Sequence, residues 1–396
     1  MEEKMSFIVK VKEGSRSFAA VCRLFGVSRK TGYKWWRRYQ AGGMEGLDER
    51  SHRPRSCPHQ SGPVWTDRVV ALRLQYPHWG PKKLRAKLLA RHGWSGLPAA
   101  STLGARLKAK GLVRSRKRRW RRPSVEPGLL TVAQRPNQVW AVDFKGWFRT
   151  GDGLRCDPLT MSDLYSRYVL CCTVAAHPSY AEVRPLFEEV FAQYGLPEII
   201  RVDNGSPFAS NGAGRLSRLS VWWIELGIQP EFTRPGHPQD NGAHERMHRT
   251  LKAETTQPAA ATRAAQQKRF GRWQRQFNTE RPHEALGQKV PAAFYQTSER
   301  RFGRKRPLLE YGADDLVRRV RSNGEIKWRG QKRYVSAAMI GRKVGLRPVD
   351  PTRVEVWYGS YLLGDLPANE SGGLRPSVSV LQTRQTKQKL LPISPV

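Results

Sequence analysis

The sequence predicts a multidomain protein: N-terminal all-α units, a central α/β core on a mixed sheet, and a C-terminal small β-barrel. Three observations predict it. Up to about residue 113, apolar side chains recur at helical spacing between Gly and Pro breaks. From Asn137, short β-branched and aromatic runs alternate with helical ones, the order expected of an α/β core. From Leu316, only short strand-like runs separated by turn residues remain.

Charge divides the chain at similar places. The 396 residues carry 70 Lys and Arg against 33 Asp and Glu, a net charge of +37. Residues 1–126 hold 30 basic and 8 acidic residues, residues 127–305 hold 24 and 17, and the last 91 hold 16 and 8. An excess concentrated in the first third indicates nucleic-acid-binding modules attached to a core of ordinary balance. No apolar run reaches the ~18 residues of a membrane span. The opening Met1-Glu2-Glu3-Lys4 lacks the basic-then-apolar order of a signal peptide, so a cytoplasmic, nucleoid-associated location is expected. Five cysteines without a CxxC pair argue against structural zinc and secreted disulfides.

Residues 17–39 read as helix, tight turn and helix. Ala20, Val21, Leu24 and Phe25 give the apolar spacing, Gly26 the turn, and Ser28 the cap of a second helix running to Tyr39. This helix-turn-helix pattern defines a domain over residues 1–50 and offers Arg29, Lys30, Tyr33, Lys34 and Arg37 to the major groove. A Pro-, Ser- and His-rich linker follows. In residues 64–113, Thr66 is expected to cap one helix, Pro81 to open a second and Ser101 to begin a third, giving a winged-type helix-turn-helix domain. Arg106 and Lys108 are its candidate DNA contacts. Residues 114–136 form a basic linker arm in which seven of the nine residues from Arg114 to Arg122 are basic. Arg116, Lys117, Arg118, Arg119, Arg121 and Arg122 are expected on phosphates or in a minor groove.

The core spans 137–300. Val139 to Phe144 reads as a strand continuing to Thr150, Gly151-Asp152-Gly153 as a hairpin turn, and 154–161 and 168–175 as the next strands. A helix over 181–194, a strand over 198–202, a helix over 214–226, a strand over 228–233 and a helix over 239–255 follow. The small barrel occupies 310–370, and 371–396 is read as a disordered tail.

Three acids sit where a sheet-based site would gather them. Asp143 follows the apolar run Trp140-Ala141-Val142. Asp203 ends the strand Ile199-Ile200-Arg201-Val202 and precedes the sharp turn Asn204-Gly205. Glu245 lies on the helix after the last core strand. Acids among apolar strand residues are costly unless paired or metal-bound. Hard carboxylate oxygens suit Mg²⁺, and two such ions can serve both the attacking and leaving oxygens of phosphodiester chemistry. Asp163 is read as a structural turn acid and Asp240 as a helix cap.

The segments Trp140-Ala141-Val142-Asp143, Val202-Asp203-Asn204-Gly205-Ser206-Pro207-Phe208 and Asn241-Gly242-Ala243-His244-Glu245-Arg246 resemble the three blocks of the integrase-core, or DDE, superfamily. The extended block His244 to Lys252 and the run Glu280-Arg281-Pro282-His283-Glu284-Ala285-Leu286-Gly287 bring the resemblance closest to bacterial insertion-sequence transposases with a retroviral-integrase-like core. The resemblance covers about residues 15–300. It implies a ribonuclease-H-like core in which Asp143, Asp203 and Glu245 are the catalytic, metal-binding triad. The implied cofactor is a pair of Mg²⁺ ions, with Mn²⁺ able to substitute. The implied partners are double-stranded DNA at the element ends and target, and further copies of the chain in a synaptic homo-oligomer; no membrane is involved. The implied activity is binding of terminal inverted repeats, metal-dependent DNA cleavage and strand transfer. Two departures stand out. The 41 residues between Asp203 and Glu245 exceed the usual retroviral-type spacing, with Ser206 to Gly214 the place for the excess, and the His/Cys zinc module of retroviral integrases is missing.

Two other readings stay open. His244-Glu245-Arg246-Met247-His248 matches HExxH, the helix of zinc metalloproteases, in which the histidines bind zinc and the Glu is a general base. The helix-turn-helix features alone equally fit a non-catalytic DNA-binding regulator.

Overall fold

The computed structural model describes residues 2–49, 62–93, 96–113, 130–210, 212–234, 236–303, 309–368, 370 and 372–375. The chain divides into two compact units, residues 1–61 and 62–396. Among the described residues, no helix is long and apolar enough to cross a membrane.

The first unit holds α1 (Glu2–Lys12), α2 (Phe18–Leu24) and α3 (Arg29–Gly42). Gly26, at φ +62°, makes the turn between α2 and α3, and the Ser28 hydroxyl accepts from the Thr31 amide at 3.2 Å to cap α3. Phe7 on α1 sets its ring edge-on to Phe18, Phe25 and Trp35. The helix-turn-helix pair is thus closed by a first helix that the sequence pattern had not revealed. At Gly32 the helices come too close for a side chain, since a Cβ would lie 2.6 Å from the Cys22 sulfur.

In the second unit, α4 (Pro63–Gln75), α5 (Pro81–His92) and α6 (Ala100–Ala109) bury Val69, Leu72, Leu84, Leu88, Leu103 and Leu107 around Trp79. Two expected helix starts shift. Pro63 opens α4 behind Gly62, so Thr66 lies inside the first turn and accepts from Arg106 instead of capping. Ala99, not Ser101, precedes α6.

The core sheet contains β1 (Val139–Phe144), β2 (Phe148–Arg149), β3 (Arg155–Asp163), β4 (Val169–Ala175), β5 (Ile199–Val202) and β6 (Gln229–Phe232). β4 pairs with one edge of β3; the other edge takes β2 and β1, and β5 and β6 continue the sheet beyond β1. The first ladders are antiparallel and β1–β5–β6 parallel, the mixed sheet expected. The expected long first strand breaks after Phe144, and β2 resumes it only at Phe148. Alternation along β1 and β3 sorts the two faces. Trp140, Val142, Leu159 and Met161 meet α7 (Tyr180–Tyr194) and α8 (Arg218–Glu225), while the opposite face is covered by α9 (Gly242–Thr255) and α10 (Arg263–Thr279). α8 starts later than expected because Gly214 is left-handed and Ser217 makes a capping box with Ser220.

The expected C-terminal barrel does not close among the described residues. β7 (Leu316–Arg319), β10 (Lys343–Asp350), β11 (Arg353–Tyr358) and β12 (Tyr361–Pro367) form an open antiparallel sheet in the order β12-β11-β10-β7, beside the hairpin β8 (Glu325–Trp328) and β9 (Gln331–Tyr334). A helix covers the apolar face instead: Val221 and Ile224 of α8 join Val344, Leu346, Val354 and Val356 in one core. Strand runs in a sequence count strands, but closure depends on what else covers the sheet.

Candidate active site

β1 lies between antiparallel β3 and parallel β5, and Asp143 stands opposite Thr160. The β1–β5 register pairs Val139 with Ile199 and Ala141 with Arg201. Continued past the strand, it brings Asp203 level with Asp143 on the same face, the face covered by α9. The turn after Asp203 is tied down. The Gly205 amide donates to the Asp203 carboxylate at 3.0 Å, Asn204 donates to the Thr233 carbonyl at 2.8 Å, and Arg215 donates to Asn204 at 3.0 Å. Glu245 projects from the first turn of α9 and is exposed, as is Asp203. Asp143 is half-buried. Its carboxyl is pushed up to about 7 by burial, then by the negative charge of Asp203 and, less strongly, of Glu245. Asp203 and Glu245 are therefore both within electrostatic reach of Asp143. They are not closed into a cage: among the described residues, no three His, Cys, Asp or Glu side chains are grouped to hold a metal ion.

α9 buries His244, Met247, His248, Leu251 and Thr255. The Thr160 hydroxyl lies 2.8 Å from His244 Nε2 and 2.6 Å from His248 Nε2, and the Ser162 hydroxyl lies 2.7 Å from His244 Nδ1. His248 Nδ1 faces the Asp143 carboxylate at 3.8 Å. Burial holds His244 down to about 3 and His248 to about 2, so both rings are neutral. The HExxH reading fails on this geometry, because both ring nitrogens of His244 are engaged with hydroxyls inside the fold.

Asp163 is structural as expected: its carboxylate accepts from the amides of Asn137 and Ser166 and from the Ser166 hydroxyl. Asp240 is not a helix cap. It makes a two-pronged pair with Arg234 at 2.7 and 2.9 Å, and Asn241 takes the capping position. Of the candidate DNA contacts, Arg29, Lys30, Tyr33, Lys34 and Arg37 are exposed on α3, and Lys108 is exposed on α6. Arg106 is half-buried, bonded to Thr66. Arg116, Lys117, Arg118, Arg119, Arg121 and Arg122 lie outside the described residues.

The run Glu280 to Glu284 has a use that its sequence did not reveal. Glu280 accepts from the Tyr76 hydroxyl at 2.8 Å and pairs with Lys87 at 3.3 Å; Pro282 accepts from Lys83, and Glu284 pairs with Lys82 at 2.5 Å. Arg281 is buried, bridging to Glu254 at 2.5 Å and lying over Trp79. This segment is the seat of the α4–α6 unit on the core. The surplus of residues after Asp203 also has a place: Gly214 packs against the Leu363 backbone, and Tyr361 donates to the Gly214 carbonyl at 3.1 Å.

Comparison with known proteins agrees with this architecture. Residues 133–238 and 226–291 match two models described as integrase core domain. Residues 3–55 match a helix-turn-helix domain, 31–107 a homeodomain-like domain, and 315–371 the C-terminal domain of the IS481 family of transposases. An uncharacterized 31.7 kDa protein of insertion element IS407 from Burkholderia multivorans is 24% identical over 60% of this chain and 82% of its own length. The Gag-Pol polyprotein of baboon endogenous virus is 30% identical over 33% of this chain. The chain spans only 7% to 22% of the lengths of the retroviral polyproteins it matches. The catalytic core of HTLV-2 integrase, solved in complex with magnesium, aligns with 42% of this chain and all of its own at 15% identity, with a TM-score of 0.33. Helix-turn-helix, integrase-core and IS481 C-terminal segments, in that order on one chain, support a member of the DDE, or integrase-core, superfamily. The IS481 C-terminal match and the IS407 relative support, within it, a bacterial insertion-sequence transposase.

Proposed function

We propose that this chain binds the terminal inverted repeats of its own mobile element and catalyses divalent-metal-dependent cleavage and transfer of their strands. One observation carries the reading: Asp143, half-buried on the sheet face that α9 covers, has a carboxyl pushed up to about 7 first by burial and then by the negative charges of Asp203 and, less strongly, Glu245. Lys145 offsets part of this negative charge, and a DNA backbone brought beside it would add more. An all-oxygen donor set is the kind that hard divalent cations take, so the residues fit Mg²⁺ or Mn²⁺. When bound, two such ions supply charge neutralisation at the attacking and leaving oxygens of a phosphodiester.

The chain's own groups do the rest. Asp143 on β1, Asp203 just past the end of the parallel neighbour β5, and Glu245 on α9 would hold the ions. The exposed basic face of α3, with Lys108 and the basic arm, holds duplex DNA, phosphates setting position and base edges setting choice. Hydrolysis at the element end forms a P–O bond to the attacking water and breaks the P–O3′ bond, leaving a 5′-phosphate on the flanking strand and freeing a 3′-hydroxyl. That hydroxyl then attacks a target phosphodiester, forming one P–O bond and breaking another, so no enzyme nucleophile is needed. Joining two ends calls for more than one copy of the chain. Asp203→Asn should abolish Mg²⁺- or Mn²⁺-dependent nicking and strand transfer on an element-end duplex while end binding by gel shift persists. Full activity in that variant overturns the triad.

A further inference from the structure

Helices usually seat on sheets through apolar contacts. Beside its apolar Met247 and Leu251, α9 places two imidazoles on two hydroxyls in a buried site, at the level of Asp143. Polar groups so placed are costly unless they are satisfied, and one assignment of protons satisfies all three partners of Thr160. Thr160 Oγ1 has three partners: the Asp143 carbonyl at 3.0 Å, His244 Nε2 at 2.8 Å and His248 Nε2 at 2.6 Å. A hydroxyl has one proton and two lone pairs. The carbonyl can only accept, so it takes the proton. Both histidines must then donate to Thr160 through Nε2–H. His244 Nδ1 is left as an acceptor for the Ser162 hydroxyl at 2.7 Å, and His248 Nδ1 turns its lone pair toward the Asp143 carboxylate at 3.8 Å.

We propose that the His244–Thr160–His248 cluster is a positioning wedge with fixed tautomers, which sets the rotation of α9 on β3 and thereby where Glu245 stands against Asp143. His244 and His248 are one helical turn apart on the buried face, and Glu245, the next residue after His244, is turned about 100° from it toward the exposed edge. Rotating α9 to move Glu245 breaks both bonds to Thr160. The same hydroxyl holds the Asp143 carbonyl, so one side chain ties two of the three acids to a common point. The proposal rests on the triad reading above.

The test uses the full chain with histidines labelled in ¹⁵N. Long-range ¹H–¹⁵N spectra should show two buried rings protonated at Nε2. Thr160→Val, which keeps shape and removes the hydroxyl, should weaken Mn²⁺ binding by about 10-fold, as loss of a ligand-orienting partner does. His248→Leu should do the same, and His248→Gln, which restores an N–H donor, should recover most of the affinity. Circular dichroism and end binding by gel shift, unchanged in all three, establish that each variant is folded. Nδ1-protonated rings in the wild type, or wild-type Mn²⁺ affinity in folded Thr160→Val and His248→Leu, overturn the wedge. Asp203→Asn run in parallel separates the two ideas: if it abolishes nicking while the wedge variants bind Mn²⁺ normally, the wedge fails and the triad stands. If it nicks normally, the triad itself has failed.

Discussion

Asp203 depends on a residue with no side chain. A Cβ on Gly205 would lie 3.2 Å from both oxygens of the Asp203 carboxylate, closer than ordinary contact, and the Gly205 amide donates to one of them. Gly205→Ala therefore moves the carboxylate by a few tenths of an ångström without unfolding anything. A misplacement of about 1 Å costs about 100-fold, so this smaller shift should lower the nicking rate by about 10-fold, with thermal stability unchanged. A single-turnover assay on an element-end duplex decides it, and an unaltered rate means that Asp203 needs no such exact seat. The three acids were readable from sequence because each stands out from its neighbours: two abut apolar strand runs, and one follows a Gly-containing turn. His244 and His248 stood out as an HExxH match, but their partners did not, because Thr160 and Ser162 are more than 80 residues away along the chain and only the packing of α9 on β3 joins them.

α8 shows how an element acquires meaning from two sides. All seven residues from Leu219 to Glu225 are buried, Leu219, Trp222 and Trp223 against the core sheet and Val221 and Ile224 against the C-terminal sheet. A helix apolar on both sides announces burial in its sequence, but does not say that its second cover is a sheet more than 90 residues later. For the same reason the strand runs after Leu316 suggested a barrel closing on itself. α10 was overlooked because Phe270, Trp273 and Phe277, though at helical spacing, are diluted among Arg and Gln. Glu225 fastens the arrangement, accepting from Arg342 at 2.7 Å and from the Tyr358 hydroxyl at 3.0 Å. Glu225→Ala leaves a partly buried guanidinium and a buried hydroxyl without that acceptor. The loss should be about 3 kcal/mol, the low end for breaking a buried pair because the Arg342 side chain keeps 30% exposure. Urea denaturation measures it, and a change near zero would mean that apolar contacts alone seat the C-terminal sheet.

The α4–α6 unit and the core are joined by many charges of unequal weight. Lys82–Glu284 is exposed on both sides, at 66% and 70%, and a pair of that kind contributes about 0–1 kcal/mol. Lys87–Glu280 is less exposed and is reinforced by the Tyr76 hydroxyl; that hydroxyl first, and then Lys87, hold the Glu280 carboxyl below its ordinary value. A carboxyl depressed in the fold stabilises it at neutral pH and above its unfolded value, and that contribution is lost as pH falls through the folded one. The seat should loosen as the pH falls into the acid range; because burial and Glu280 push Tyr76 up to about 12, it should also loosen in strong base. Arg281 is a different kind of contact: its guanidinium is buried, bridges Glu254 at 2.5 Å, and lies 5.8 Å from the Trp79 and Phe277 ring centres, touching both bodies at once. Arg281→Ala takes from the part-buried Glu254 its guanidinium partner, leaving the bond from Trp273, and strips a cation from two aromatic faces. It should cost about 3 kcal/mol, whereas Lys82→Ala should cost less than about 1 kcal/mol. Both are measured by urea denaturation at 0.15 M salt, where screening acts over about 8 Å and weakens exposed pairs more than buried ones. If the two variants lose stability equally, the seat is held by diffuse charge and not by the buried arginine.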